Sequence, residues 1–317
     1  MFLSVVIPVL NEAEGIQFLK DALDQALSET FNQWEVIFVD DGSKDVSPQV
    51  LEKLVIADPE HVRVILLFRN FGQTTAISAG IDHAQGDVIV LMDADLQNDP
   101  ADIPLMIEKL NEGYDVVSGW RKDRKDPYLT RVFPSKIANA LISWVTGVKL
   151  HDYGCTLKAY RREIITGFRL YGEMHRYIPV YAQSIGANIV EVPVQHHPRR
   201  WGKPKYGLER IIKVVLDLIT VKFLSTYIGK PIYLFGGIGA AFMFISGILA
   251  AFLAVRRLTV GTQVLTSPFF LVAIVMLSFG FHSILMGLIA ELLVRTYHES
   301  QQKPTYTIRK MIGMFPD

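Results

Sequence analysis

Asp93 and Asp95, separated by Ala94 and followed by Leu96-Gln97, close the apolar run Val88-Ile-Val-Leu-Met92. Alternate carboxylates at the end of a buried strand can both approach one hard cation with oxygen ligands, because the strand fixes their position. Such a cation neutralises charge that builds on a departing diphosphate. The plain alternative is a solvated acidic turn. Asp40-Asp41-Gly42-Ser43 is a second acidic turn. Its carboxylates suit hydrogen bonds from a ribose hydroxyl or a base N–H, and they equally suit a cap on the helix that follows. Asn11-Glu12 follows the first apolar run, and Arg69-Asn70-Phe71-Gly72-Gln73 follows the third. Arg69 offers a cation to a phosphate, or is a surface charge.

Two basic stretches complete the inventory. Residues 118–139 carry six Lys or Arg against two Asp, and residues 197–230 carry eight against Glu209 and Asp217. Bringing two phosphates together requires cations, and a phosphate monoester is already an anionic nucleophile that needs no general base. The second stretch reads either as a site for a lipid phosphate or as an attraction for anionic headgroups. His196 and His197 are adjacent and lack the helical spacing of metal ligands.

These side chains need a frame. Phe2–Val9, Trp34–Val39, Val62–Phe68, Val88–Met92 and Val116–Ser118 read as strands, with Gly15–Ala26 and Thr74–His83 as helices between them and a further strand at Asn188–Val194. Strands apolar throughout and separated by helices predict an α/β fold: a mostly parallel sheet with helices on both faces. The polar clusters then share the carboxyl edge, where such sheets bind ligands.

The chain has 317 residues and no net formal charge, so nothing directs it towards nucleic acid. Its mean hydropathy of +0.25 is high for a soluble enzyme. The cause is local: Phe269 to Ala290 alone spans about 33 Å as a helix, enough for a bilayer core of about 30 Å. Two spans are expected, at about 231–255 and 267–291. Residues 208–228 read as an amphipathic helix lying at the membrane interface. The full division is a catalytic domain over 1–207, the interfacial helix, the two spans within 229–295, and a C-terminal tail over 296–317. Only Arg256 and Arg257 are basic in the short loop between the spans, so the catalytic domain and both termini are expected in the cytoplasm. Met1 to Leu10 lacks the basic start and long apolar core of a secretory leader, and the lone Cys155 fits a reducing compartment.

The motifs Pro8-Val9-Leu10-Asn11-Glu12, Asp40-Asp41-Gly42-Ser43, Arg69-Asn70-Phe71-Gly72, Asp93-Ala94-Asp95-Leu96-Gln97-Asn98-Asp99-Pro100 and Gly119-Trp120-Arg121 occur in an order that resembles glycosyltransferase family 2. Within it the chain is similar to the dolichol-phosphate mannose synthase and bactoprenol glucosyltransferase branch. The resemblance implies a GT-A fold and an inverting transfer. It implies that Pro8, Leu10, Asn11, Glu12, Asp40, Asp41, Arg69 and Gly72 line the nucleotide, and that Asp93, Asp95 and Gln97 hold Mg²⁺ or Mn²⁺. Arg121, Arg131 and Ser135 match positions that contact the acceptor phosphate. Arg200 and Lys205, in Arg200-Trp-Gly-Lys-Pro-Lys-Tyr206, match a basic motif that touches the acceptor or the diphosphate, with Pro204 in place of the usual Ser. Asp152 is expected to orient the site. Leu10 stands where relatives often carry an aromatic residue.

The expected reaction is therefore hexose transfer from a nucleotide sugar to a polyprenyl phosphate at a bacterial plasma membrane, with UDP-glucose as donor. GDP-mannose, or a non-catalytic nucleotide-sugar-binding scaffold, are the alternatives. Homo-oligomerisation through the spans is compatible with the sequence. A processive polysaccharide synthase fits less well, because Gln195 is followed by His196-His197-Pro198-Arg199 and not by the Q-x-x-R-W pattern.

Overall fold

A computed structural model describes residues 1–124, 133–166, 170, 174–198, 232–261, 263–265, 267–300 and 306–313. The chain divides into two compact units, Met1–Val221 with Pro304–Asp317, and Lys222–Lys303.

The first unit is built on an eight-stranded sheet in the order β7-β5-β6-β4-β1-β2-β3-β8. Its strands are β1 (Leu3–Val9), β2 (Trp34–Asp40), β3 (Val62–Leu67), β4 (Val88–Leu91), β5 (Val116–Trp120), β6 (Lys158–Arg161), β7 (Ile189–Pro193) and β8 (Ile308–Ile312). The helices are α1 (Ile16–Leu27), α2 (Ser47–Ala57), α3 (Gln73–His83), α4 (Ile103–Asn111), α5 (Phe133–Thr146), α6 (Arg162–Ile165) and α7 (Ile178–Ser184). β1 pairs in parallel with β2 and β4, β2 with β3, and β5 with β7. All seven residues of β2 are buried, which is why it lacks a polar alternation. Leu19, Leu23 and Leu27 of α1 pack on one face of the sheet with Met106 and Leu110 of α4, a spacing of four that puts each set on one side of its helix.

Two strands run against the rest. β6 inserts antiparallel between β4 and β5. β8 pairs antiparallel with β3, so part of what the sequence suggests is a tail is the outer strand of the catalytic sheet. Phe68 N–H donates to Thr307 O at 3.1 Å, Tyr306 Oη donates to Asp82 Oδ2 at 2.9 Å, and Lys310 Nζ meets Glu52 Oε1 at 2.8 Å. Six of the eight strands share one direction, so the sheet is mostly parallel as the sequence suggests, with β6 and β8 the two exceptions. Both are short and carry basic residues, Lys158 and Arg161 in β6 and Arg309 and Lys310 in β8.

In the second unit the described residues form a pair of helices, α8 (Ile232–Val260) and α9 (Pro268–Ser300). Phe235–Val260 and Pro268–Ala290 are each long and apolar enough to cross a membrane. Gly239 and Gly280 face each other where the backbones cross: a Cβ on Gly239 would lie 2.6 Å from Gly280 O. Small residues at such crossings let helices approach closely without a hydrophobic drive from water. Ser246 Oγ donates to Ala273 O at 2.7 Å and Ser283 Oγ to Phe235 O at 2.8 Å. His282 is exposed, and its Nδ1 lies 2.7 Å from Ser278 O on its own helix.

Candidate active site

The carboxyl ends of β1 to β5 and β7 and the start of β6 lie along one edge, and there the loops are laced together. Asn11, at φ 51°, donates from its N–H to Ser43 Oγ at 2.9 Å and accepts from Lys44 N–H at 2.8 Å. Glu12 N–H donates to Ser47 Oγ at 3.0 Å. Gly42 takes φ 71°, and a Cβ there would lie 2.5 Å from the Arg69 carbonyl carbon. Only glycine fits that turn.

Asp41 has a role that its motif alone does not reveal. Its Oδ1 accepts from Phe71 N–H at 2.7 Å and its Oδ2 from Gly72 N–H at 3.0 Å. The loop after β2 thus holds the loop after β3. Burial raises the Asp41 pKa against those two hydrogen bonds. Asp40 Oδ2 accepts from Ser43 N–H at 3.1 Å. Arg69 is exposed, with its guanidinium 4.0 Å over the Phe71 ring. Pro8 and Leu10, both half-buried, flank Val9 at the end of β1.

At the end of β4, Asp93 is gripped from two sides. Gln73 Nε2, in the first turn of α3, donates to Oδ1 at 2.6 Å, and Thr156 Oγ1 donates to Oδ2 at 2.7 Å. Surrounding protein, and then the charge of Asp95, push the Asp93 pKa up to about 6. The Gln97 N–H donates to Asp95 Oδ1 at 3.2 Å across a turn in which Leu96 has φ 56°. A buried Asp93 carboxylate with the charge of Asp95 beside it suits a divalent cation, whose charge relieves the repulsion. Among the described residues no cluster of three or more His, Cys, Asp or Glu side chains is available. Asp93, Asp95 and Gln97 would therefore supply part of a coordination sphere, leaving the remainder to diphosphate oxygens and water.

Facing these carboxylates are two guanidinium groups. Arg121, just past β5, binds Asp152 in a fork, with Nε to Oδ2 at 2.7 Å and Nη2 to Oδ1 at 2.9 Å. Burial opposes ionisation of Asp152, but Arg121 outweighs it and the pKa is lowered. A Cβ on Gly154 would lie 3.2 Å from Arg121 Nη2 and 3.7 Å from Arg176 Nη1, so both arginines approach the same backbone position. Both also act favourably on ionised Asp93. Arg124 Nη1 donates to Ser135 Oγ at 3.1 Å at the start of α5.

Several of these residues carried no role in the sequence reading. Gln73 lies inside a quoted motif but had no assigned partner. Thr156 follows Asp152 by four positions in one loop, and only β6 running antiparallel to β4 carries it to Asp93. Lys158 is buried beneath that loop and donates to Tyr153 O and Cys155 O. Burial pulls its pKa down to about 8. Arg176 sits alone before α7, with no motif around it. His197 Nε2 lies 2.9 Å from Asp99 Oδ2, and Gln195 N–H donates to Asp102 Oδ2 at 2.7 Å, so this segment packs along the loop after β4. Arg131, Arg200, Lys205 and the helix expected over 208–228 lie outside the described residues.

The comparisons with known proteins agree with this geometry. The family model described as Glycosyl transferase family 2 matches residues 4–168, just over half of the chain. Dodecaprenyl-phosphate galacturonate synthase of Rhizobium johnstonii is 40% identical over 312 residues, covering 98% of this chain and 92% of that protein. Undecaprenyl-phosphate 4-deoxy-4-formamido-L-arabinose transferase of Klebsiella pneumoniae is 39% identical over 310 residues, covering 98% and 93%. Among solved structures, glucosyl-3-phosphoglycerate synthase of Mycobacterium tuberculosis with Mn²⁺, uridine diphosphate and glucosyl-3-phosphoglycerate superposes with a TM-score of 0.53 at 19% identity, over 71% of this chain and 79% of that one. That likeness speaks for the GT-A fold. With the family model seated on the strands that carry Asp41, Asp93 and Arg121, and with relatives matched along nearly its whole length, the chain belongs to glycosyltransferase family 2.

Proposed function

We propose that this enzyme transfers a sugar, with inversion, from a nucleotide diphosphate donor to a polyprenyl phosphate. The observation that carries the reading is that buried Asp93, beside Asp95, is acted on favourably by Arg121 and Arg176, whose guanidinium groups both come close to Gly154. A phosphate oxygen of the lipid attacks the anomeric carbon, the new C–O bond forms, and the bond to the diphosphate breaks with its electron pair leaving on the diphosphate. No proton has to be removed from the nucleophile, so Asp152 serves by fixing Arg121 and not as a base. Asp93, Asp95 and Gln97 would hold a divalent cation, Mg²⁺ or Mn²⁺, which would neutralise the charge building on the departing diphosphate. The relatives' names support the polyprenyl acceptor.

The donor reading moves away from the UDP-glucose expected from sequence. The two relatives are named for galacturonate and for 4-deoxy-4-formamido-L-arabinose, and neither name contains glucose. A nucleotide-linked sugar of that modified, polar kind is the reading their similarity favours. α8 and α9 are read as membrane spans, with the catalytic unit in the cytoplasm. Return of the chain to the sheet as β8 supports an even number of crossings.

The test is direct. Full-length protein in nanodiscs containing undecaprenyl phosphate is offered UDP-glucose, UDP-galacturonate, the UDP-linked formamido-arabinose and GDP-mannose, each with and without Mn²⁺, and the lipid is analysed by mass spectrometry. Glycosylated lipid phosphate from one donor, dependent on Mn²⁺ and lost in Asp95→Ala, is expected. No product from any donor would support the scaffold alternative, and product from glucose alone would restore the original donor.

A further inference from the structure

Gln73, which donates to one oxygen of Asp93, stands in the chain between two residues that other loops hold. On one side of it, Gly72 N–H donates to Asp41 Oδ2 at 3.0 Å. On the other, Thr74 is 2% exposed, and its Oγ1 lies 2.7 Å from His175 Nδ1. Those two residues are 101 positions apart, and His175 belongs to the short turn Met174–Tyr177 that precedes α7. His175 is buried, and among the described residues its Nε2 has no hydrogen-bond partner. Burial, and then the charges of Arg176 and Lys158, hold its pKa well below the usual value, so the ring is neutral. With Asp93, Thr156 and Lys158 it lines a small cavity at the end of β4. A neutral ring adds no charge to the metal site. What it can supply there is position.

We infer that His175 is a positioning residue of the metal site: through Thr74 it fixes the first turn of α3, so that Gln73 reaches Asp93 in one orientation. Asp41 and His175 then bracket Gln73, one on each side of it in the chain. The bracket matters because a glutamine side chain is long and loses much rotamer freedom when it is held. Its amide must still arrive 2.6 Å from Asp93 Oδ1, and a loosened turn would let that contact lapse. A buried hydroxyl and a buried ring nitrogen are both costly to leave unpaired, so Thr74 and His175 stay together whether or not a ligand is bound. Groups behind a metal ligand set its orientation and through it the affinity for the ion. The inference rests on the reading of Asp93 as a metal ligand.

Metal binding by the full chain tests it without turnover. Mn²⁺ is titrated into the protein in dodecyl maltoside, and free Mn²⁺ is read by electron paramagnetic resonance. Asp93→Ala defines the share of binding that belongs to this site. His175→Phe keeps a ring and loses Nδ1, and Thr74→Val keeps the shape and loses the hydroxyl. Groups directly behind metal ligands are worth about 10–100-fold in affinity; one contact further out, each variant should raise the Kd for Mn²⁺ about 3- to 10-fold. The double variant should lose no more than either single one, since both break the same contact. Thr74→Ser, which keeps the hydroxyl, should bind Mn²⁺ as the parent does. His175→Asn, whose amide can stand where Nδ1 stood, should recover most of the affinity, whereas His175→Gln, whose amide reaches the Nε2 position, should not. An unchanged Kd in Thr74→Val, with a urea midpoint that shows a folded protein, overturns the inference. So do additive losses in the double variant, or a loss in Thr74→Ser equal to that in Thr74→Val. If His175→Phe does not fold, the comparison of Thr74→Val with Thr74→Ser decides. Parent-like binding by Asp93→Ala removes the metal reading itself, and this inference with it.

Discussion

Thr156 and Asp93, 63 positions apart in the chain, meet at 2.7 Å, with the threonine hydroxyl donating to Oδ2. Because Gln73 takes the other oxygen, the carboxylate is aimed before any ligand arrives. Thr156→Val keeps the shape and removes the donor. A hydrogen bond to a charged group contributes about 1.5–3 kcal/mol, so the Mn²⁺ concentration for half-maximal activity should rise roughly 10- to 100-fold. An unchanged metal requirement in a titration of initial rates would show that Thr156 does not position the metal ligand.

Proton and cation should compete at Asp93. Its pKa is raised to about 6 by burial and by Asp95, so below that value the folded protein holds a proton where the cation must bind. The half-activating Mn²⁺ concentration should climb about tenfold per pH unit as pH falls below about 6, and level off above it, as expected for displacement of one proton. In the metal-free protein the sign is opposite for stability: a carboxyl with a raised folded pKa loses stability as pH rises from its unfolded value through about 6. Calorimetry with and without Mn²⁺ separates the two effects. A metal requirement flat across this window removes Asp93 from the metal site.

The Arg121–Asp152 fork is two-sided and Asp152 is 3% exposed. Asp152→Asn removes one buried partner and should cost about 3–5 kcal/mol of stability, read as a fall in urea midpoint. Turnover should drop further than stability explains, since Arg121 loses its aim. Because Arg121 depresses the Asp152 pKa against its burial, the pair's contribution is present above the unfolded carboxylate's pKa and vanishes as pH falls through the folded one. The variant's stability should accordingly depend less on acid than the parent's. Arg121→Lys should not restore function, because an ammonium cannot make both contacts.

Tyr306 and Asp82 tie β8 to α3 at 2.9 Å. Tyr306→Phe should cost about 0.5–1.5 kcal/mol, measured by thermal shift in detergent. A chain ending at residue 303 should instead aggregate, because the β3 edge is left without its neighbour. A monodisperse truncated protein would mean that β8 adds nothing to the edge.

How far the residues alone reach is clear from particular cases. The runs at β1, β2, β3 and β4 are dominated by apolar residues, broken by Ser4, Glu35 and Arg63, and end in polar clusters, so both strand and edge could be read directly. The Asp93 and Asp95 carboxylates followed from that edge, whereas Arg121 came from the family resemblance. β6 could not be read, since Lys-Ala-Tyr-Arg is too short and too polar to announce a strand, and with it Thr156 stayed hidden. β8 was missed for a similar reason: Ile308 to Ile312 holds two basic residues in the middle, and its partner lies more than two hundred positions away. Asp41 suits a ligand or a helix cap by residue type, and its bonds to the Phe71 and Gly72 amides stayed hidden because a turn motif does not name its partners across the sheet edge. The donor sugar left no mark on the motifs at all.

The late arrival of β8 has a consequence for biosynthesis. β3 leaves the ribosome early, yet its outer neighbour is made only after α8 and α9. The sheet therefore stays one strand short throughout delivery of the apolar hairpin to the membrane, and sequence-distant pairing of this kind is slow to form. Completion of the sheet thus waits on synthesis of α8 and α9, and a chain in which β8 fails to pair leaves the outer edge of β3 open, the kind of edge that invites aggregation.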